Sequence, residues 1–408
     1  MGGDDDRGGF RRVTPLELAA GWVPGRRARP DLAPTGRRRR RAGVTPPGGP
    51  RETLERVLLP ALQQRPCVVG FSGGRDSSAV LAVAVDLARR EGLEPPVAVT
   101  NVYPTLPETD ETAWQERVLR HLGVEEWVRQ EFDDELDLMA PGALDSVRRH
   151  GVLWPATLHN RAPAIVIARG GCYIDGEGGD EILGDMRVTP AARLLRREQP
   201  ADLRAAKRLV RVVAPRPVRE RLERRSVRRQ APRPWLRPAA QEWFLRTAAN
   251  DEARRPLNYT EGQLDFLRRR AVQVSFHNLD HMGAHLGVRY VHPLLDPDFA
   301  RALGTAGGRL GFSGRTAAMR AVFGDLLPED VLSRPTKVYF NNAFAHLHTR
   351  QFVRGWDGTG LDSDLIDVDA LREVWSRPDL HGGTFQLLHA AWLAGSPRRP
   401  VDDVAVTR

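Results

Sequence analysis

Residues 67–90 constrain this chain more than any other stretch. A short apolar run, Cys67-Val68-Val69-Gly70-Phe71, leads directly into Ser72-Gly73-Gly74-Arg75-Asp76-Ser77-Ser78 and then into a helical-period segment over 77–90. The run is too short for a helix, and the segment after it carries Val80, Val83, Ala84 and Leu87 at helical spacing. The two glycines allow a tight turn and close backbone approach to an anion. A helix start aims unpaired N–H groups and a positive dipole end at that anion. Ser72, Ser77 and Ser78 add hydroxyl donors. Asp76 would repel a bare phosphate, so its presence implies a Mg²⁺ ion between the two. A helix cap needs one Ser or Asp, not this cluster. The Gly-Lys-Ser/Thr ending of a Walker loop and the Gly-x-Gly-x-x-Gly of a dinucleotide site are both missing here.

The surroundings match such a loop. A helix is expected over 52–64, with Leu54, Val57, Leu58 and Leu62 on one face. Strands are expected at 67–71, 97–102, 126–132 and 172–175. Helices are expected at 77–90, 111–122, near 134–149 and at 157–169. Short apolar strands separated by helices predict a parallel sheet covered on both faces. After residue 185 the strand signals largely stop. Residues 190–305 read as successive helices broken by prolines, with 261–286 the longest, and further helical stretches follow at 314–325, 345–354 and 384–395. The expected division is an irregular extension over 1–50, an α/β nucleotide-binding core over 51–190 and a mainly helical part over 191–408. Within the extension, Thr14 to Val23 holds an apolar patch able to dock on the main body.

A second motif, Tyr173-Ile174-Asp175-Gly176-Glu177-Gly178-Gly179-Asp180-Glu181, also follows a strand. Asp180 is the natural second Mg²⁺ carboxylate beside Asp76. Glu177, in a glycine-rich turn, is placed to orient or deprotonate an incoming amine. Both motifs sit at C-terminal strand ends, where open α/β sheets bind ligands.

The third is Ser333-Arg334-Pro335-Thr336-Lys337-Val338. The chain has 61 Lys plus Arg, of which only Lys207 and Lys337 are lysines. A lysine kept in so Arg-biased a chain points to a compact point charge that Arg cannot supply. Delivered to the phosphates, Lys337 would stabilise charge on the α-phosphate and the leaving pyrophosphate.

Net charge is +9, and Arg187 to Arg237 alone, with sixteen Arg and one Lys against four acidic residues, carries +13. A second basic run is Arg37 to Arg41. These read as solvated, Arg-biased surface, and a nucleic-acid partner is not expected. The two cysteines, Cys67 and Cys172, lie in apolar runs and read as small buried strand residues, not as a disulfide or zinc framework. No apolar run approaches the ~18 residues of a membrane helix, and Met1 to Arg12 lacks a signal-peptide core, so the expected location is cytoplasmic.

In this order the three motifs resemble the asparagine synthetase family of PP-loop ATP pyrophosphatases, whose core is of the adenine nucleotide alpha hydrolase type. The resemblance runs from about residue 52 to 345 and includes Gly287-Val288-Arg289-Tyr290-Val291-His292-Pro293-Leu294-Leu295-Asp296 and Gly314 to Leu327. It implies an ATP-dependent ligase. A substrate carboxylate attacks the α-phosphorus, an acyl-adenylate and pyrophosphate form, and ammonia or an amine then releases AMP. It further implies that Ser72, Gly73, Gly74, Arg75 and Ser77 cradle pyrophosphate and that backbone near Val99 and Gly176 lines the nucleotide. Asp76 and Asp180 would hold Mg²⁺, while Glu177 and Lys337 act in catalysis.

Glutamine-using members carry an N-terminal glutaminase with a Cys after the initiator Met. Residue 2 here is Gly. The expected donor is therefore ammonia, a separate glutaminase or an amine of the substrate, as in relatives that close β-lactams or macrolactams. Typical asparagine synthetases have a Glu and an Arg where this chain has Arg289 and Val291, and Thr157-Leu158-His159-Asn160-Arg161 also departs from them. Both changes bear on the carboxylate accepted, a small molecule or a peptide. A PP-loop enzyme acting on tRNA is the alternative from another class, and its thiolating form needs reactive cysteines.

Overall fold

The structure is a computed structural model that describes residues 9–29, 32, 48–336, 338 and 340–396. Lys337 and the basic run Arg37–Arg41 lie outside the described residues. Five strands form one sheet: β1 (Cys67–Gly70), β2 (Val97–Val102), β3 (Trp127–Glu131), β4 (Cys172–Ile174) and β5 (Arg289–Val291). All pairings are parallel and the order is β3-β2-β1-β4-β5. This is an α/β fold with a parallel sheet and a helical C-terminal part. Cys67 faces Cys172 across the β1–β4 pairing, and both are buried free thiols.

The chain leaves β1 toward β2 on one side and later returns to place β4 on the other. The loops that follow β1 and β4 therefore diverge, and a crevice opens between them, the position where open α/β sheets take ligands. The helix Arg75–Arg90 follows β1. It has no internal Gly or Pro, its Ala and Leu residues favour helix, and Arg89 and Arg90 oppose the dipole in its last turn. Every residue from Ser77 to Val85 is buried, which fixes the helix start beneath the crevice. One core is built by β1, β4, this helix, the helix Pro50–Leu62 and the helix Pro297–Gly307. A second gathers Trp235, Phe244, Trp375 and Leu388 in the helical part. Ala19 and Ala20 of the short helix Pro15–Ala20 join that second core, and Trp235 Nε1 donates to the Ala19 carbonyl at 2.9 Å.

Several elements differ from expectation. A fifth strand, Arg289–Val291, exists after residue 185; three residues are too few to show a period. The 261–286 stretch is two helices, Tyr259–Arg268 and Arg270–His285. The break between these helices is held open by the N-terminal segment: Arg26 and Arg269 form an antiparallel bridge, Arg27 N donates to Arg268 O, and Arg270 N donates to Gly25 O. The helix near 134–149 begins only at Pro141, with proline in its first turn. Residues ahead of it fold around Asp137, whose carboxylate accepts from Met139 N at 2.8 Å. The expected helix at 157–169 is instead short 3₁₀ turns around the single α-turn Ala162–Ile165, because Pro163 cannot donate into a continuing ladder. The +13 segment forms the helices Leu203–Val213 and Arg216–Gln230, the second with only Ser226 buried, so most of its charge faces solvent.

Candidate active site

A cavity of about 630 Å³ opens at the C-terminal ends of the strands. Its floor begins where β1 ends. Phe71 is buried, its N–H donates to Val99 O at 2.7 Å, and its carbonyl accepts from Thr100 Oγ1 at 2.5 Å. The next residues are therefore delivered at a fixed height above the sheet. Gln115 Nε2 donates to Ser72 O at 3.1 Å, and the Ser72 and Ser77 hydroxyls lie 3.1 Å apart. Ser72 Oγ also accepts from Gly74 N at 3.3 Å. The loop thus closes over the start of the helix Arg75–Arg90, with the two hydroxyls beside its first turn.

The loop after β4 packs directly on this helix start, and glycine is required for that. A Cβ on Gly176 would stand 2.8 Å from Ser77 N and 2.9 Å from the Asp76 carbonyl carbon. One on Gly179 would stand 2.3 Å from Asp76 Cγ. No side chain fits between the two loops. The carboxylates of Asp76 and Asp180 consequently converge, and a single side chain meets both: Arg315 Nη2 donates to Asp76 Oδ2 at 2.6 Å, and its Nη1 donates to Asp180 Oδ1. Arg315 opens the helix Arg315–Phe323. Burial pushes the Asp76 carboxyl above its usual range, and neighbouring Asp180 adds to this, while Arg315 opposes it. Asp76 Oδ1 is buried with no hydrogen-bond partner. Burial, with Arg315 close by, lowers the Arg75 guanidinium from its usual value.

Glu177 projects into the cavity beyond Gly176. Its carboxylate pairs with Arg161 Nη2 at 2.6 Å. Burial works against the charge on Arg161, and Glu177, Tyr290 and Asp175 more than restore it, leaving its pKa above the ordinary value. Asp175 turns the other way and holds His292 Nδ1 at 2.9 Å and 3.0 Å. Burial of His292 favours the neutral ring, but Asp175 and then Asp280 outweigh it and raise the imidazole to about 10.

Ser72, Gly74, Arg75, Asp76, Ser77, Val99, Gly176, Glu177 and Asp180 all border this one cavity, and Gly73 lies in the same loop. Lys337 is outside the described residues, but its neighbours Thr336 and Val338 line the cavity. Sequence reasoning missed Arg315, Arg334 and the role of Arg161 as the Glu177 partner. Arg315 directly follows Gly314 at a helix start, a weak local signal. The Arg161–Glu177 pairing has no local signal at all.

Among the described residues no group of three or more His, Cys, Asp or Glu side chains could hold a metal, and no helix is long and apolar enough to cross a membrane. A family model described as asparagine synthase matches residues 51–394. No curated protein matches the chain.

Proposed function

Because this chain belongs to the asparagine synthase family of ATP-dependent carbon–nitrogen ligases, we propose that it splits ATP to AMP and pyrophosphate, activates a carboxylate as the acyl-adenylate and passes the acyl group to ammonia or an amine. The observation that carries this reading is the meeting of Asp76 and Asp180 on one cationic side chain, directly beside the hydroxyl-lined loop Ser72–Ser77. A triphosphate fits that arrangement. The β- and γ-phosphates lie on the loop N–H groups and the Ser72 and Ser77 hydroxyls, with Arg315 and Arg75 against their oxygens. The nucleoside extends along Val99 and Gly176.

Two converging carboxylates and the unpartnered, buried Asp76 Oδ1 suit a hard divalent cation. Asp76 and Asp180 would hold Mg²⁺, and the ion would supply neutralisation of phosphate charge there. Arg315, which spans both carboxylates here, then turns to the phosphates.

The chemistry is two displacements. A carboxylate oxygen bonds to the α-phosphorus, the α–β bridging P–O bond breaks, and pyrophosphate leaves. The amine nitrogen then bonds to the acyl carbon, the acyl–O–P linkage opens at the acyl carbon, AMP leaves, and the nitrogen gives up a proton. Glu177, on the cavity wall next to Gly176, accepts a hydrogen bond from the amine in this scheme. Lys337 stabilises the charge of the first step. Asparagine formation from aspartate and closure of a substrate onto its own amine both follow this scheme.

The test is product identity. Incubation with ATP, Mg²⁺, a candidate acid and ammonium or hydroxylamine is expected to yield AMP and pyrophosphate in equal amounts, dependent on the acid. ADP and phosphate would overturn the proposal.

A further inference from the structure

Part of the same cavity is an apolar chamber, and its walls belong to a hydrophobic cluster. Tyr103, Leu136, Ala164, Ile165, Phe340 and Phe344 line it, and all six pack in or against one apolar core. The Tyr103 and Phe340 rings pack against each other on its wall, with centroids 5.9 Å apart. Burial pushes the Tyr103 hydroxyl up to about 12, so it stays neutral.

The charges bordering this chamber are already committed. Arg161 lies on Glu177, and Asp175 lies on His292. The remaining charged groups around the cavity, Asp76, Asp180, Arg315, Arg75 and the Arg334–Glu111 pair, belong to the phosphate end. Among the described residues, none is left over for the second carboxylate and the ammonium of a substrate such as aspartate. Burying such charges without partners costs several kcal/mol each. Asn160 is the exception to the apolar lining. It is 1% exposed, its Nδ2 donates to Leu136 O, and its Oδ1 is buried with no hydrogen-bond partner, an unfilled acceptor in a residue that lines the cavity.

From this lining we infer that the carboxylate activated here is carried on an apolar body bearing an amide N–H, that is, an N-acylated or peptide-linked hydrophobic residue, and not a small zwitterion such as aspartate. The inference rests on the carboxylate-activation reading above. It adds that Ala164, Phe340 and Asn160 set specificity while the loops at 72–77 and 176–180 do not.

Acid-dependent exchange of labelled pyrophosphate into ATP tests it. The probes are N-acetyl-L-phenylalanine, N-acetyl-L-leucine, N-acetylglycine and L-aspartate. Exchange is expected to rise with the apolar side chain and to exceed that with aspartate by about tenfold or more, the scale set by filling an apolar pocket. Ala164→Trp, which fills the chamber, is expected to raise KM for N-acetyl-L-phenylalanine about tenfold, with ATP affinity unchanged by calorimetry. Phe340→Ala, in a less buried segment, gives a second variant that widens the chamber and is expected to flatten the preference for Phe over Gly. Exchange led by aspartate, or a preference untouched by both variants while ATP still binds, overturns the inference and leaves the activation reading standing. Exchange with none of the acids, while ATP binds normally, removes the activation reading and this inference with it.

Discussion

Arg334 and Glu111 form a two-pronged ion pair, with Nη1 to Oε2 at 2.5 Å and Nη2 to Oε1 at 2.6 Å, and their side chains are only 4% and 8% exposed. The same guanidinium donates to Gly73 O at 3.2 Å and lies 4.6 Å from the Trp114 ring centre. One buried cation thus fastens Arg334 and the residues beside it to the loop Ser72–Ser77. A planar fork suits this job and an ammonium does not.

Arg334→Ala leaves the Glu111 carboxylate buried and unpaired. Urea unfolding is expected to show a loss of about 3–5 kcal/mol. Replacing both partners, as Arg334→Met with Glu111→Leu, is expected to recover most of that loss. A single variant as stable as the parent would show that the pair does not organise this corner.

Arg315→Ala removes the cation shared by Asp76 and Asp180. Two effects are expected together. Turnover falls by about 10²-fold or more, the scale for losing one charge stabiliser in a site. Mg²⁺ binds the nucleotide-free variant more tightly than the parent in calorimetry, because the guanidinium that competes with it for Asp76 and Asp180 is gone. Weaker Mg²⁺ binding by the variant would contradict the pairing of these carboxylates around a common cation position.

The His292–Asp175 pair makes a prediction about pH. The ordinary imidazole value is about 6.5, and His292 is raised to about 10 in the folded chain, burial being outweighed by Asp175 and Asp280. A raised folded value means that the folded state holds its proton more tightly than the unfolded state does. The stabilisation is then complete below about pH 6.5 and fades as pH climbs toward about 10. The stability difference between the parent and His292→Gln is expected to shrink over that range. A difference that stays constant or grows from pH 7 to 10 would contradict a charged His292.

Much of what gathers at the candidate site was readable from sequence because its parts are local. The strand–Gly–helix pattern at 67–90 carries its own turn, cap and period, and the turn at 175–181 does the same on the neighbouring strand. The elements that were misread depend on distant partners. The break at Arg269 exists because residues 25–27 pair with its backbone. The short turns around Asn160 replace a helix because of Pro163. Arg161 reaches Glu177, sixteen residues on, and Arg315 reaches Asp76 from 239 residues away. Neither pairing leaves a spacing that can be read from the chain. The apolar chamber is likewise assembled from residues 103, 136, 164–165, 340 and 344, each an ordinary apolar residue by itself.

The central claim is that a substrate carboxylate bonds to the α-phosphorus of ATP. Turnover with an acid labelled with ¹⁸O in both carboxylate oxygens tests it most directly. Attack at that phosphorus predicts AMP carrying one ¹⁸O and unlabelled pyrophosphate. Unlabelled AMP, or label in phosphate released alongside ADP, would contradict it.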